Sequence, residues 1–480
     1  MKTDRAIPLA RGAVPLLGHA RALSRDPMHF LKSLPEDVDL IGLRLGPNPV
    51  VLVCDPELTQ QVLTDDSTFD KGGPLVDLVA PLVGDGLATC PRSRHRHPRR
   101  LLQPLFRPGR LEDYGEKMAA AIDSVIGDWR DDQVFDVPAE MRRLTIRVAV
   151  EALFSGTLAP AVADQTADDF TAVLVGIAQR MARPPVADRL PTPTNRRYYA
   201  ALKRVRETVR DAVERRRADG TGEDDVLARL LTTGADGKPV LSESAIVDHA
   251  ITFLIAPTAT IASVLGWALH VLAEHPDMQD RLHAEIDVLL ADKPASSDVL
   301  AKLELTQRIV TESLRMYPSL FFAPLRIVTT DTDLGQHRLP AGTVLAFSPW
   351  LVHHRSDLYE DPEHFDPDRW KNTELPMPSR NAFIPFGSGA RQCIGLDFAY
   401  QEMVLALATI ASRWRLEPVA GSPLPPRAAA NLTARGLRVR TVLRRPSGAE
   451  KCSRPVDLDG RSVRTPDGNH RPTQRPGWLI

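Results

Sequence analysis

Cysteine is scarce in this sequence: 480 residues hold four, Cys54, Cys90, Cys393 and Cys452, all far apart. That spacing excludes a disulfide framework, a four-cysteine zinc site and a typical iron–sulfur cluster, and it suits a reducing compartment. Net charge is nearly absent, −1 at pH 7, so nothing implies bulk attraction to nucleic acid. Lysine is sparse beside arginine. Residues 1–5 lead into a Pro/Gly-rich segment and not into an apolar anchor or signal, so a cytoplasmic protein without a membrane anchor is expected. No repeat, long linker or Gly-rich phosphate loop interrupts residues 1–445, which read as one large, mostly helical domain. Residues 446–480 are polar and irregular and read as a disordered tail.

What is present centres on Phe386-Gly387-Ser388-Gly389-Ala390-Arg391-Gln392-Cys393-Ile394-Gly395. The glycines let the backbone turn sharply and approach something flat or bulky. Cys393 leads into an apolar helical pattern, 396–414, whose start favours a thiolate, and Arg391 adds a positive charge two residues away. A single thiolate held this way is a ligand for a soft or borderline metal, and it fits a haem iron.

Taken in order, residues 40–53 read as a hairpin turning at Gly46-Pro47-Asn48. Residues 56–63 read as a short helix, and 71–89 as a long loop with a helical piece, in which Leu75 and Val76 are candidates to line a cavity. Residues 92–106 are dense in Arg and His, with His95 and Arg99 on one helical face. Pro98 lacks a backbone donor, so a helix start near Pro98 is expected. Helices are expected at 141–154, 169–182 and 196–218, with Pro184, Pro185, Pro191 and Pro193 breaking the chain between the last two. The longest helical pattern runs 242–274, capped by Ser242 and stopped by His275-Pro276. Its uncharged stretch 250–269 is long enough to span a membrane, but the Thr, Ser, Pro and Gly within it favour a buried central helix. Further helices are read at 277–290 and 301–317, and strands at 321–328, 335–347, 415–418 and 437–443.

The pattern Phe-x-x-Gly-x-Arg-x-Cys-x-Gly resembles the haem-binding signature of the cytochrome P450 family. Glu312-Ser313-Leu314-Arg315 resembles the family's Glu-x-x-Arg pair, and Phe365-Asp366-Pro367-Asp368-Arg369-Trp370 resembles the segment that supplies its third member, Arg369. The resemblance spans nearly all of 1–445. It implies a mainly α fold with small β-sheets (α+β) and a long central helix over the haem. It implies haem b with Cys393 as iron ligand, and Arg391, His95, Arg99, Arg326, Phe386 and Gly387 as cofactor-binding residues. Glu312, Arg315 and Arg369 become a structural triad. The prolines at 184–193 become a lid over the substrate channel, and Phe253, Ala256, Phe321, Phe322, Ala323, Leu75 and Val76 the substrate pocket.

The implied reaction inserts one oxygen atom of O2 into an apolar substrate. Electrons are expected from NAD(P)H through a ferredoxin reductase and a ferredoxin, docking on the basic face, with the protein a monomer. The central helix departs from the family pattern: Ala256-Pro257-Thr258-Ala259-Thr260 keeps Thr260, but Ala259 replaces the usual acid and Pro257 a glycine. A water relay through Thr260 is then expected, with Thr258 as a second place to hold that water, and a bend at Pro257. The segments 69–74 and 84–91 resemble actinobacterial terpene-oxidising members, so a cyclic terpene is the expected substrate. Fatty-acid or polyketide hydroxylation, and a haem-binding protein that has lost catalysis, are the alternatives.

Overall fold

Ser242 starts the longest helix, Glu243–Glu274, by accepting the Ala245 N–H at 3.3 Å, one of the amides a helix start leaves free. The helix stops at His275, because Pro276 cannot continue it. Its 32 residues span about 48 Å. It is long and apolar enough to cross a membrane, but 89% of its apolar window is buried inside the protein, as in a core helix. Helices Val137–Phe154, Pro193–Asp219, Glu304–Met316 and Leu396–Arg413 pack against it. Trp267 anchors it further, stacking on Tyr317 at 4.3 Å and donating to the Leu432 carbonyl at 3.2 Å.

The computed structural model describes residues 5–181, 185–219, 224–234, 238–290, 295–371, 381–419, 427–428, 432–433 and 436–444. The chain divides into two units, Met1–Arg444 and Arg445–Ile480, and the expected tail at 446–480 lies outside the described residues.

The first unit is mainly helical with small sheets, the class expected. Strands Leu40–Leu45 and Asn48–Val53 form the expected hairpin, with Gly46 at φ +62° in its turn. They begin a five-stranded sheet that continues through Val344–Phe347 and Ala323–Val328 to Phe69–Lys71. Asn48–Val53 and Val344–Phe347 run parallel, and the other pairs run antiparallel. Lys71, at the sheet edge, is thereby placed opposite Arg326.

The helical piece expected within 71–89 is Pro74–Val83. Two expectations change. The helix read as 169–182 begins earlier, at Pro160. The helix read as starting near Pro98 spans Arg92–Leu102, with Pro98 inside it. The reason is a cap from elsewhere in the chain: both Asp70 carboxylate oxygens lie 2.9 Å from the Arg92 N–H and accept it. A carboxylate at a helix N-terminus stabilises the orphan amides there, and no local pattern reveals it.

Glu402 stands in the middle of Leu396–Arg413, fully buried, and neither carboxylate oxygen has a hydrogen-bond partner among the described residues. Desolvation raises its pKa well above the ordinary 4.5, so the folded protein holds it protonated. The unfolded chain releases that proton above its ordinary value. Stability therefore falls as pH rises from there toward the folded pKa, by up to about 1.4 kcal/mol per pH unit. Glu402→Met removes this cost. Urea unfolding is expected to show a larger gain for the variant at pH 8 than at pH 5, and a pH-independent difference would contradict the assignment.

Candidate active site

The loop before Leu396–Arg413 carries Cys393. Three backbone bonds shape it: Gly387 N–H to Ile384 O at 3.1 Å, Gln392 N–H to Gly389 O at 3.0 Å, and Cys393 N–H to Phe386 O at 3.0 Å. Gly389 sits at φ +70°, where a Cβ would come within 2.7 Å of the Leu63 carbonyl. Only glycine lets the loop lie that close to helix Pro56–Thr64. Gln60 fastens the contact by donating to Ser388 Oγ at 2.8 Å.

Cys393 is set deep among protein atoms, yet its side chain is exposed, so it faces a cleft. Burial raises its pKa, while the Gly395 N–H and the Arg99 charge lower it. One phenyl ring links this loop to the central helix. Phe106 lies 3.7 Å from where a Gly395 Cβ would be, and it stacks on Phe253 at 5.6 Å. Beyond Phe253, Ala256 and Thr260 are exposed and Ala259 is half-buried, in the middle of an otherwise buried helix. Phe106 thus joins the cysteine loop to the part of the central helix that carries this small, solvent-facing stripe.

Thr260 Oγ1 donates to the Ala256 carbonyl at 2.8 Å. Thr258 does not serve as a second water holder toward the cleft, as expected from sequence. It is fully buried, its hydroxyl donates to Leu254 O at 3.0 Å, and its carbonyl accepts from Thr145 of helix Val137–Phe154. The helical period turns position 258 to the opposite face from 256 and 260.

Cations gather on one side. Arg326 is 2% exposed, and its Nε and Nη1 are buried without a hydrogen-bond partner among the described residues. Desolvation, with repulsion from Arg391 behind it, lowers its pKa to about 10. Lys71, which the sequence reading missed, is pushed down to about 7 by burial and then by Arg326 and Arg391. Like charges opposite each other across a strand pair destabilise it, so this edge calls for an anion. His95 is buried and its pKa is lowered to about 4 by desolvation, then by Arg391 and Arg99. Arg391 is held by Asp70 at 2.9 Å and by the Cys90 carbonyl at 2.8 Å, with Asp66 at 3.6 Å. Arg99 grips the cysteine loop, donating to Gln392 O at 2.6 Å.

These residues fit haem b. A cysteine sulfur faces the cleft, and two orphaned donors of a buried arginine stand where an acidic edge can meet them. Buried charges without partners are costly, and the carboxylates of the group would supply them.

Glu312, Arg315 and Arg369, which the resemblance groups as a structural triad, are in direct contact. Arg315 forks onto Glu312 at 2.9 and 2.8 Å, and Arg369 Nε donates to Glu312 Oε1 at 3.0 Å. Trp370 Nε1 and the Asp366 amide complete the carboxylate's partners at 2.9 and 3.0 Å. His353, also missed in the sequence, carries this order to the loop. It is fully buried and its pKa is driven far down, chiefly by desolvation, so it is neutral. Its Nδ1 bonds the Arg315 carbonyl at 3.1 Å, and its Nε2 accepts the Ile384 N–H at 3.0 Å, three residues before Gly387.

The other pocket candidates divide between cores. Leu75 and Phe253 belong to the large helical core, and Val76 is half-buried. Phe321 and Phe322 pack in the sheet lobe with Leu31, Ile41 and Trp350, and Ala323 packs with Phe347 and Ile384. Phe386 lies against the large core, and Gly387 holds φ +69°.

The chain matches the family model described as Cytochrome P450 over residues 8–437. It is 41% identical over 438 residues to the pentalenene oxygenase of Streptomyces avermitilis, covering 91% of this chain and 97% of that protein. It is 40% identical over 418 residues to the cyclooctat-9-en-7-ol 5-monooxygenase of Streptomyces melanosporofaciens, covering 86% and 90%. Cyclooctatin synthase of the same organism is 38% identical over 436 residues, covering 90% and 94%.

Glu312→Ala leaves two arginines without their carboxylate. Because Glu312 and Arg315 are fully buried, the expected loss is about 3–5 kcal/mol, with poor haem incorporation. Thermal unfolding and the ratio of Soret to protein absorbance check this. A variant with full haem and unchanged stability would overturn the triad's role.

Proposed function

We propose that this chain, which belongs to the cytochrome P450 family and is a haem-thiolate monooxygenase, takes a cyclic terpene as its substrate. Haem iron ligated by a thiolate supplies the activation of O2, placing one oxygen atom in the substrate and releasing the other as water. As a family member, the protein acts on a small molecule with O2 and draws its electrons from a redox partner. The observation that carries the substrate reading is the stripe Ala256, Ala259 and Thr260 beside Phe253: small and apolar but for one hydroxyl, it suits a hydrocarbon skeleton more than a charged one. The relatives' names, pentalenene oxygenase and cyclooctat-9-en-7-ol 5-monooxygenase, support the same class.

The roles of the chain's residues follow. Cys393 would ligate the iron, and Gly395 N–H and Arg99 favour its thiolate. Arg326, Lys71, His95 and Arg391 would meet the cofactor's carboxylates. Phe253, Leu75 and Val76 would exclude water from the substrate, whereas Phe321, Phe322 and Ala323, expected in the pocket, pack in separate cores of the sheet lobe. Thr260 is the hydroxyl on the stripe, and its proton is committed to Ala256 O. Toward the cleft its oxygen is therefore an acceptor, and passing a proton requires that bond to be exchanged for one to water or substrate. With Ala259 next to it there is no carboxylate at that point to drive the exchange. Incomplete coupling follows.

Electrons would arrive through a ferredoxin and its NAD(P)H-dependent reductase. Arg96 and Arg100 are exposed and paired with no acid among the described residues, on the same helix whose Arg99 grips the cysteine loop. An acidic partner docking there lies on the cysteine side. We also place the protein in the cytoplasm as a monomer, and residues 1–445 as the catalytic domain.

The test combines the haem-loaded protein with NADPH, a ferredoxin and its reductase, and panels of cyclic terpenes, fatty acids and macrolactones under labelled O2. A terpene product carrying one labelled oxygen is expected, with hydrogen peroxide accounting for much of the NADPH consumed, and less product per NADPH in Thr260→Ala. Turnover confined to fatty acids or macrolactones would overturn the terpene reading. No product from any ligand would favour a haem carrier. Tight, equal coupling in both proteins would show that the proton comes from elsewhere.

A further inference from the structure

Residues 84–91 join the pocket-wall helix Pro74–Val83 to the arginine-rich helix Arg92–Leu102, and their first half hangs on a short stretch of the central helix. Asp248 Oδ2 accepts the Asp85 N–H at 3.2 Å, and His249 Nδ1 accepts the Leu87 N–H at 3.1 Å. His249 is neutral, its pKa lowered to about 4 chiefly by desolvation, so that lone pair is available. A Cβ on Gly84, at φ +50°, would fall 1.9 Å from the Asp248 carboxylate, and one on Gly86 would fall 2.1 Å from Thr252 Oγ1. The two glycines are what let this backbone close onto Asp248 and Thr252.

A third element enters through Arg206, on Pro193–Asp219, the helix that leaves the expected lid at 184–193 (the lid helix). Its Nη2 donates to Asp248 Oδ1 at 2.9 Å, and its Nη1 donates to the Leu82 carbonyl at 2.8 Å. That carbonyl is among the last of Pro74–Val83, which have no partner within the helix. The Arg206 side chain is 26% exposed and that of Asp248 10%, so solvent weakens the pair only in part. One guanidinium thus ties the lid helix to the central helix and to the pocket wall. Phe253, Ala256 and Thr260 follow on the same central helix.

We propose that the Arg206–Asp248 pair is the bolt of the access gate: a bulky ligand passes between the lid helix and Pro74–Val83 only when this pair opens. Asp248 acts here as a positioning residue, setting where the pocket wall stands. The inference rests on the cleft beside Cys393 being the ligand site and not on the terpene reading.

Two haem ligands of unequal size test it on the haem-loaded protein, imidazole and clotrimazole, followed by the Soret shift in stopped flow. Arg206→Ala is expected to raise both the association and dissociation rates of clotrimazole about tenfold, which corresponds to about 1.4 kcal/mol off the opening barrier. Its Kd and both imidazole rates stay unchanged. Asp248→Asn keeps an acceptor for Asp85 N–H and loses the charge, and is expected to shift the clotrimazole rates the same way, by less. Arg204→Ala is the control: Arg204 pairs with Asp169 across helices Pro193–Asp219 and Pro160–Met181, at 2.9 and 2.5 Å, and its loss leaves both ligands' rates as they were. Unchanged clotrimazole rates in Arg206→Ala, an equal rise for imidazole, or the same rise in Arg204→Ala would each overturn the proposal.

Discussion

Positive charge buried at the edge of the five-stranded sheet is the constraint around which the rest is arranged. Register alone sets Lys71 against Arg326, and the cysteine loop adds Arg391 beside them. Asp70 and Asp66 answer part of this charge, and Arg326 keeps two donors unanswered. Folding that buries unshared cations is costly unless an anion completes the group. The same arrangement explains the helix start at Arg92, because Asp70 serves the Arg391 guanidinium and the helix amide together. A bound haem would join these cations and the cysteine sulfur in one site.

Precision at that site comes from a chain of buried polar contacts and not from the loop itself. Glu312 fixes Arg315 and Arg369, Arg315 fixes the segment around His353, and His353 holds Ile384 just ahead of Gly387. On the other face, Arg99 and Gln60 hold the loop from outside. The Cys393 loop is thus held by side chains as far upstream as Gln60, while the central helix, through Asp248, positions the segment that follows helix Pro74–Val83.

Much of this was legible in the sequence where chemistry needs a fixed local spacing. The glycine-framed Cys393 loop, the Glu312–Arg315 pair and the long helix capped by Ser242 each announce themselves within one element. What was not legible depends on which distant elements meet. No local pattern marks Asp70 or Lys71, because their partners Arg92 and Arg326 come from other elements. His353 gives no local signal, because its partners lie at 315 and 384. Thr258 was misjudged because the period that exposes Ala256 and Thr260 turns it toward Thr145. Pro98 misled because a cap supplied by another strand outweighs one missing donor.

The most direct test of the central claim compares haem with its dimethyl ester, which lacks free carboxylates, in reconstituting the apoprotein. If the buried cations exist to meet those carboxylates, the ester should bind much more weakly than haem in the wild type, by at least about a hundredfold, or roughly 2.7 kcal/mol. In Arg326→Met the gap between the two should narrow. Both loaded forms should still give the red-shifted Soret band of thiolate ligation when reduced with carbon monoxide. Equal affinity for haem and its ester in the wild type would contradict the account.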